Sequence, residues 1–176
     1  LIDLRQKIAA HAKQFYGLDW IGPEHVVVTG GAKPALYATF LSLINPGDEV
    51  IVPVPAWVSY MDLIELAGGV VVKPRLTDDY DLNVEALKEA ISPKTKAILI
   101  NSPHNPTGAV FSKQSVRALA SLIKGKDITL ISDDIYSKLV FSEDFYLVPK
   151  AGFDRLVIIN GFSKSQALTG WRIGYM

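Results

Sequence analysis

The chain has 176 residues, with 18 basic and 18 acidic side chains and 49% hydrophobic residues, enough apolar material to fill one domain. This neutral balance argues against a nucleic-acid partner, which demands a basic face, and no apolar run approaches the length that spans a bilayer. Cysteine is absent, which removes disulfide and thiol chemistry and fits a reducing compartment.

Residues 1–15 carry Leu1, Leu4, Ile8, Ala12 and Phe15 at helical spacing, and Gly17 stops the pattern. This opening reads as an amphipathic helix, so no secretory leader is expected. Val26-Val27-Val28 reads as a first strand. Thr29-Gly30-Gly31-Ala32-Lys33 follows, then a helix over 34–43 with Pro34 in its first turn. Asn45-Pro46-Gly47-Asp48 is a turn. Val50-Ile51-Val52 forms a second strand, and residues 60–67 a helix closed by Gly68-Gly69. Val70-Val71-Val72 is a third strand, and residues 82–91 a short helix. Ala97-Ile98-Leu99-Ile100 is a fourth strand, running into Asn101-Ser102-Pro103-His104-Asn105-Pro106-Thr107-Gly108. Ser112 caps a helix whose apolar side is Val116, Leu119, Ala120 and Ile123. Strands over 128–131, 156–159 and 172–175 complete the pattern, with exposed loops at Tyr80-Asp81 and 142–150.

Continuous apolar strands alternating with amphipathic helices predict an α/β fold: a mostly parallel central sheet covered by helices on both faces. No repeat or linker divides the chain, so residues 1–176 are expected to form a single domain. The chain opens inside a helical pattern and stops inside a strand-like run, so a longer protein is expected.

In open parallel sheets, ligands bind beyond the carboxyl ends of the strands, and the unusual residues cluster there. Lys164 sits among small residues just past an apolar strand, with Arg172 eight positions on and glycines around both. A lysine that attacks a carbonyl needs a neutral amine and an unobstructed approach. An arginine fork suits a phosphate. Gly30-Gly31 before a helix is either a plain turn or an anion cradle. Trp57 either caps the core or stacks on a flat ring. Asn105, between two prolines, is a turn residue or an amide held at a stiff tip. Asp133 is a helix N-cap or a buried acid awaiting a cation, with Tyr136 on the same side if the chain turns helically.

The stretch Gly161-Phe162-Ser163-Lys164-Ser165-Gln166-Ala167-Leu168-Thr169-Gly170-Trp171-Arg172-Ile173-Gly174 resembles the lysine signature of the class I/II aminotransferases, pyridoxal-phosphate (PLP) enzymes of fold type I. Pro-Ala-Trp-Val-Ser-Tyr, Asn-Pro-Thr-Gly and Ser-Asp-Asp-Ile-Tyr resemble further elements of that family. The resemblance implies that Lys164 links the cofactor, that Arg172 and the backbone N–H groups of Ala32 and Lys33 hold its phosphate, and that Ser163 adds a phosphate contact. It further implies Trp57 stacking on the ring, Asn105 and Tyr136 on the phenolic oxygen, and Asp133 on the pyridine nitrogen. Lys164, Asp133 and Tyr136 are the catalytic candidates.

One departure is Asp134, where the family usually has glutamate; a side chain pointing away would leave the chemistry untouched. The resemblance also implies cis peptides at Asn105-Pro106 and Val54-Pro55. No metal site is expected, since His11, His25 and His104 lack ligand spacing; for His104 a capping or solvent role is expected.

The implied activity is PLP-dependent transfer of an amino group between an α-amino acid and a 2-oxo acid, in an aspartate, aromatic or alanine-like range. The implied protein is a cytoplasmic homodimer. Residues 1–176 would be the major part of its large domain, inactive alone, without the N-terminal arm and the C-terminal small domain. The alternatives on this scaffold are a carbon–sulfur β-lyase or other fold type I lyase, and, in another class, the PLP-sensing domain of a transcription regulator.

Overall fold

The computed structural model describes residues 1–141 and 145–176. The aliphatic runs form the strands β1 (Val28–Thr29), β2 (Glu49–Ile51), β3 (Val70–Val72), β4 (Thr95–Asn101), β5 (Thr129–Asp133), β6 (Leu156–Gly161) and β7 (Gly174–Tyr175). Among the described residues they make one sheet in the order β1-β7-β6-β5-β4-β2-β3. β2 to β6 run parallel, and β7 lies antiparallel to both β6 and β1. The expected α/β architecture is therefore the observed one.

Helices cover both faces because each presents an apolar side to the sheet. They are α1 (Ile2–Tyr16), α2 (Ala32–Leu43), α3 (Ser59–Leu66), α4 (Val84–Ala90) and α5 (Lys113–Ile123). α2 and α3 lay Leu36, Phe40, Tyr60 and Ile64 over Val50, Leu99, Ile131 and Ile159. On the opposite face, α4 and α5 pack Leu87, Val116 and Leu119 against Ile98, Ile100 and Leu130. α1 continues this second layer with Ile8 and Tyr16 beside Ile158 and Tyr175. Each large side chain so buried contributes about 1.5–3 kcal/mol. The Ser112 cap is present: its Oγ accepts from the Ser115 N–H at 3.1 Å.

Four sequence expectations need correction. The first strand is shorter than Val26-Val27-Val28 suggests, because Pro23–His25 makes a 3₁₀ turn that delays it. The last strand begins only at Gly174: Arg172 has φ 51°, a left-handed backbone that cannot join a ladder. Asp81 is no idle loop residue. Its Oδ1 accepts from Ser115 Oγ at 2.6 Å and from the Ser112 N–H at 3.1 Å, tying the loop before α4 to the start of α5. Of the loop expected at 142–150, residues 142–144 lie outside the described residues, and Val148 and Pro149 are buried in a 3₁₀ turn. The peptides Val54-Pro55 and Asn105-Pro106 are cis as expected, and so is Ser102-Pro103.

Candidate active site

Sheet register gathers the chemistry. Asn101 pairs with Asp133 across β4 and β5, and Asp133 pairs with Ile159 across β5 and β6. The three carboxyl ends are therefore level, and the segments leaving them carry Asn105, Tyr136 and Lys164. Alternation along β5 points Asp133 toward the α2–α3 face and Ser132 to the opposite one.

Asp133 is 3% exposed. Its Oδ2 accepts from the Tyr60 hydroxyl at 2.7 Å, and its Oδ1 from the Ile135 N–H at 3.2 Å. Burial pushes its carboxyl up to about 6, against the opposing pull of those two hydrogen bonds. The Tyr60 hydroxyl is pushed up in turn, by its own burial and then by the neighbouring carboxylate. Among the described residues no lysine, arginine or histidine pairs with Asp133. A buried acid in this state gains most from a cation brought to it.

The remaining residues extend from this point. Asn101 donates from Nδ2 to the Asp133 carbonyl at 2.7 Å and accepts the Asn105 N–H on Oδ1 at 2.8 Å, which ties the stiff loop to the acid. Trp57 meets Tyr60 edge-on with ring centroids 5.2 Å apart. It also packs on the α2–α3 core, so the capping reading of Trp57 holds beside any stacking one. The Lys33 ammonium lies 4.8 Å from the Trp57 ring centre and donates to Ser59 Oγ at 3.3 Å. The chain after Asp133 does turn helically, with the Ser137 N–H bonded to the Asp134 carbonyl at 2.9 Å. The Lys164 amine is exposed and sits 5.7 Å from the centre of the Tyr136 ring.

A second subsite lies at the start of α2, which opens without any side-chain cap. Its first-turn N–H groups therefore face outward, where an anion is favoured. Gly31 holds φ 117°, and a Cβ there would stand 2.5 Å from Arg172 Nη2. The absent side chain lets the guanidinium close on the helix terminus. A Cβ on Gly174 would meet the Gly31 carbonyl carbon at 2.2 Å, so two backbones touch where β7 passes α2. Ser163 is half-buried nearby in sequence, with no side-chain hydrogen bond among those described.

Sequence reasoning missed Tyr60 and Asn101. Tyr60 was legible in part: Trp57 and Tyr60 are three apart at a helix start, hence on one side, and a buried tyrosine needs a partner for its hydroxyl. His104 is buried rather than solvent-facing, and its Nδ1 lies 2.8 Å from Thr107 Oγ1. Asp134 points away from Asp133 as expected, yet it is buried too. Among the described residues no cluster could hold a metal ion. A cavity of about 320 Å³ runs between Ile8, Trp20, Leu43 and Met176. It contains none of the residues above and is lined mainly by apolar side chains, so the chemistry belongs to the strand ends.

A buried acid and an exposed lysine thus stand at strand ends of an α/β sheet, beside an uncapped helix start approached by an arginine. The model of the class I and II aminotransferases matches residues 1–176, and the chain belongs to that family, whose enzymes use pyridoxal phosphate. It is similar to the aspartate aminotransferase of Thermotoga maritima: 46% identical over 180 residues, spanning 100% of this chain and 48% of that protein. The crystal structure of that enzyme superposes with a TM-score of 0.95, at 44% identity over 99% of this chain and 48% of its own. The Thermus thermophilus aspartate aminotransferase solved with maleate gives a TM-score of 0.95 at 40% identity, over 99% of this chain and 46% of that one. The Pyrococcus furiosus alanine aminotransferase gives 0.95 at 34% identity, over 100% and 45%. The chain spans about half the length of the relatives it matches. Among the described residues no helix is long and apolar enough to cross a membrane.

Proposed function

We propose that the protein containing this chain is a PLP-dependent aminotransferase that moves an amino group between an α-amino acid and a 2-oxo acid. Residues 1–176 form the major part of its cofactor-binding domain, as one domain. The carrying observation is Asp133, buried and bonded to Tyr60 with no cationic partner among the described residues. A protonated pyridine ring answers that need, and a phosphate answers the uncapped start of α2 beside Arg172. The residues thus fit the group from both ends.

When bound, the cofactor supplies a carbonyl that takes up the substrate's amine and a ring that draws electrons from the substrate's Cα. Asp133 would hold a proton at the ring nitrogen, and the Tyr60 hydroxyl and Ile135 N–H keep its carboxyl aimed. Asn105 and Tyr136 would donate to the phenolic oxygen, Trp57 would cover the ring, and Arg172, Ala32, Lys33 and Ser163 would hold the phosphate. Lys164 would anchor the carbonyl end and, once a free amine, would hold and move the proton of the substrate's Cα as general base and acid.

The substrate reading follows the relatives. Their names give aspartate, and in one case alanine, and one was solved with maleate, a dicarboxylate. A short acidic amino acid such as aspartate is therefore the proposed donor. The exposed apolar side chains Val58, Leu66 and Trp171 support a covered surface in the whole protein, and a cytoplasmic homodimer is part of the proposal.

The test is to add pyridoxal phosphate to the cofactor-free full-length protein and follow visible absorbance, then assay aspartate, alanine and aromatic donors with 2-oxoglutarate. Saturable colour with aspartate-preferring turnover is expected. Absence of both, in protein that folds, overturns the reading.

A further inference from the structure

Behind the site, on the opposite face of the sheet, lies a buried polar cluster that the chemistry above does not use. It consists of Asp134, Ser132, Tyr16, Asn160 and Ser137, all between 0% and 5% exposed. Ser132 Oγ donates to Asp134 Oδ1 at 2.5 Å. The Tyr16 hydroxyl lies close enough to the Asp134 carboxyl for each to shift the other's ionisation. Asn160 Nδ2 donates to the Tyr16 hydroxyl at 3.0 Å and reaches Ser137 Oγ at 3.4 Å. The Gly161 N–H donates back to Asn160 Oδ1 at 2.8 Å.

The members sit on four segments: α1, the end of β5, the turn after it, and the end of β6. Two of those segments lead directly into the site. The turn contains Tyr136, fixed between the Ser137 N–H bond to the Asp134 carbonyl and the Leu139 N–H bond to the Tyr136 carbonyl. Gly161 opens the loop that carries Lys164. Among the described residues no buried side-chain nitrogen or oxygen lacks a partner, and a fully satisfied buried network rigidifies whatever it joins.

Resting on the PLP reading, we infer that Asp134, Tyr16 and Asn160 are positioning residues: from the back of the sheet they fix Tyr136 and Lys164 relative to Asp133. Their location explains why so much polarity is buried where an apolar core would be more stable. A hydrophobic replacement would fill the space but leave the turn and the lysine loop free to move independently. Burial and the adjacent Asp133 push Asp134 up to about 7, while the Ser132 hydrogen bond and the nearby Tyr16 hydroxyl oppose this. The titratable groups acting on it are Tyr16 from α1, Asp133 beside it in the chain and Tyr175 from β7, and Lys7, His11 and Lys138 line a cavity next to Asn160. A protonated Asp134 can therefore both donate and accept within the network.

The experiment uses the full-length protein with Tyr16→Phe, Asp134→Ala and Asp134→Asn. In the cofactor-free form, amide hydrogen exchange is read at Gly161 and Ser137. Tyr16→Phe and Asp134→Ala should speed exchange at these two amides selectively, with β4 unchanged. In the loaded form, kcat should fall about tenfold with KM little changed, since a small misplacement acts on the reacting geometry. The pH titration of the cofactor absorbance should move with it. Asp134→Asn, which keeps a donor and an acceptor, should recover most of both. Uniform loosening of β4, β5 and β6, or an unmoved absorbance titration in a destabilised variant, would reduce the cluster to a structural role and overturn the inference. Failure of the unaltered protein to take up pyridoxal phosphate would instead remove the underlying function.

Discussion

Strand β5 and the residue after it contain two regions of equal burial and opposite chemistry. Leu130 and Ile131 are 0% exposed and apolar; Ser132, Asp133 and Asp134 follow at 0%, 3% and 2%. β4 repeats the change, from Ile98-Leu99-Ile100 to Asn101-Ser102. The first region is what a core requires. The second costs desolvation and is held by hydrogen bonds from Tyr60, Asn101 and Ser132. Polar groups concentrated where strands end, and buried as deeply as the core beside them, mark a surface built to receive something. The sharpest ways to break this comparison exchange one region's chemistry for the other's.

Asp133→Asn should have the largest effect. In the full-length protein it should lower kcat by about 10²–10⁴-fold, the range for losing a positioned acid or base, while the fold is retained. Steady-state kinetics beside circular dichroism checks this; near-normal turnover would favour the helix N-cap reading of Asp133.

The same pair of acids makes a stability prediction for the cofactor-free protein. An unfolded aspartate titrates near about 3.9, whereas folded Asp133 and Asp134 are raised to about 6 and about 7. The folded state therefore holds more protons between these values. The resulting stability is fully present below about pH 4 and is lost as pH rises through 6 and then 7. Urea midpoints should fall across that window, and Asp134→Asn should flatten its upper part. A midpoint that rises with pH, with the variant parallel to the parent, would contradict the burial assigned here.

Tyr60→Phe comes next. Removing a hydroxyl from a buried carboxylate costs about 1.5–3 kcal/mol, and we expect cofactor affinity to fall about tenfold, read by absorbance titration. Gly31→Ala tests the second subsite: it adds a Cβ against Arg172 at φ 117°, so phosphate-dependent affinity should drop while pyridoxal without phosphate is little affected. Lys33→Ala should be smallest, within about threefold in affinity, because its ammonium is exposed over Trp57 and the backbone N–H is retained.

Local pattern carried most of the fold. Val70-Val71-Val72 and Val116-Leu119-Ala120-Ile123 declare a strand and a helix within a few residues, and those elements stand where expected. The polar residues at strand ends were legible because Lys164, Arg172, Asn105 and Asp133 lie in short distinctive strings. What the sequence hid is what joins distant segments. Tyr60 meets Asp133 across 73 positions, and Asn160 meets Tyr16 across 144; periodicity within a window contains no trace of either. Arg172 was misread as strand because Trp171, Ile173 and Tyr175 look like alternation, while the left-handed turn at Arg172 is set by its approach to Gly31.

The central claim is that Lys164 is the residue that holds the cofactor. Borohydride reduction of the loaded full-length protein, followed by peptide mapping, tests it most directly. The account predicts the pyridoxyl label on Lys164 and its loss in Lys164→Ala; a label on Lys33, or active protein labelled on neither lysine, would contradict it.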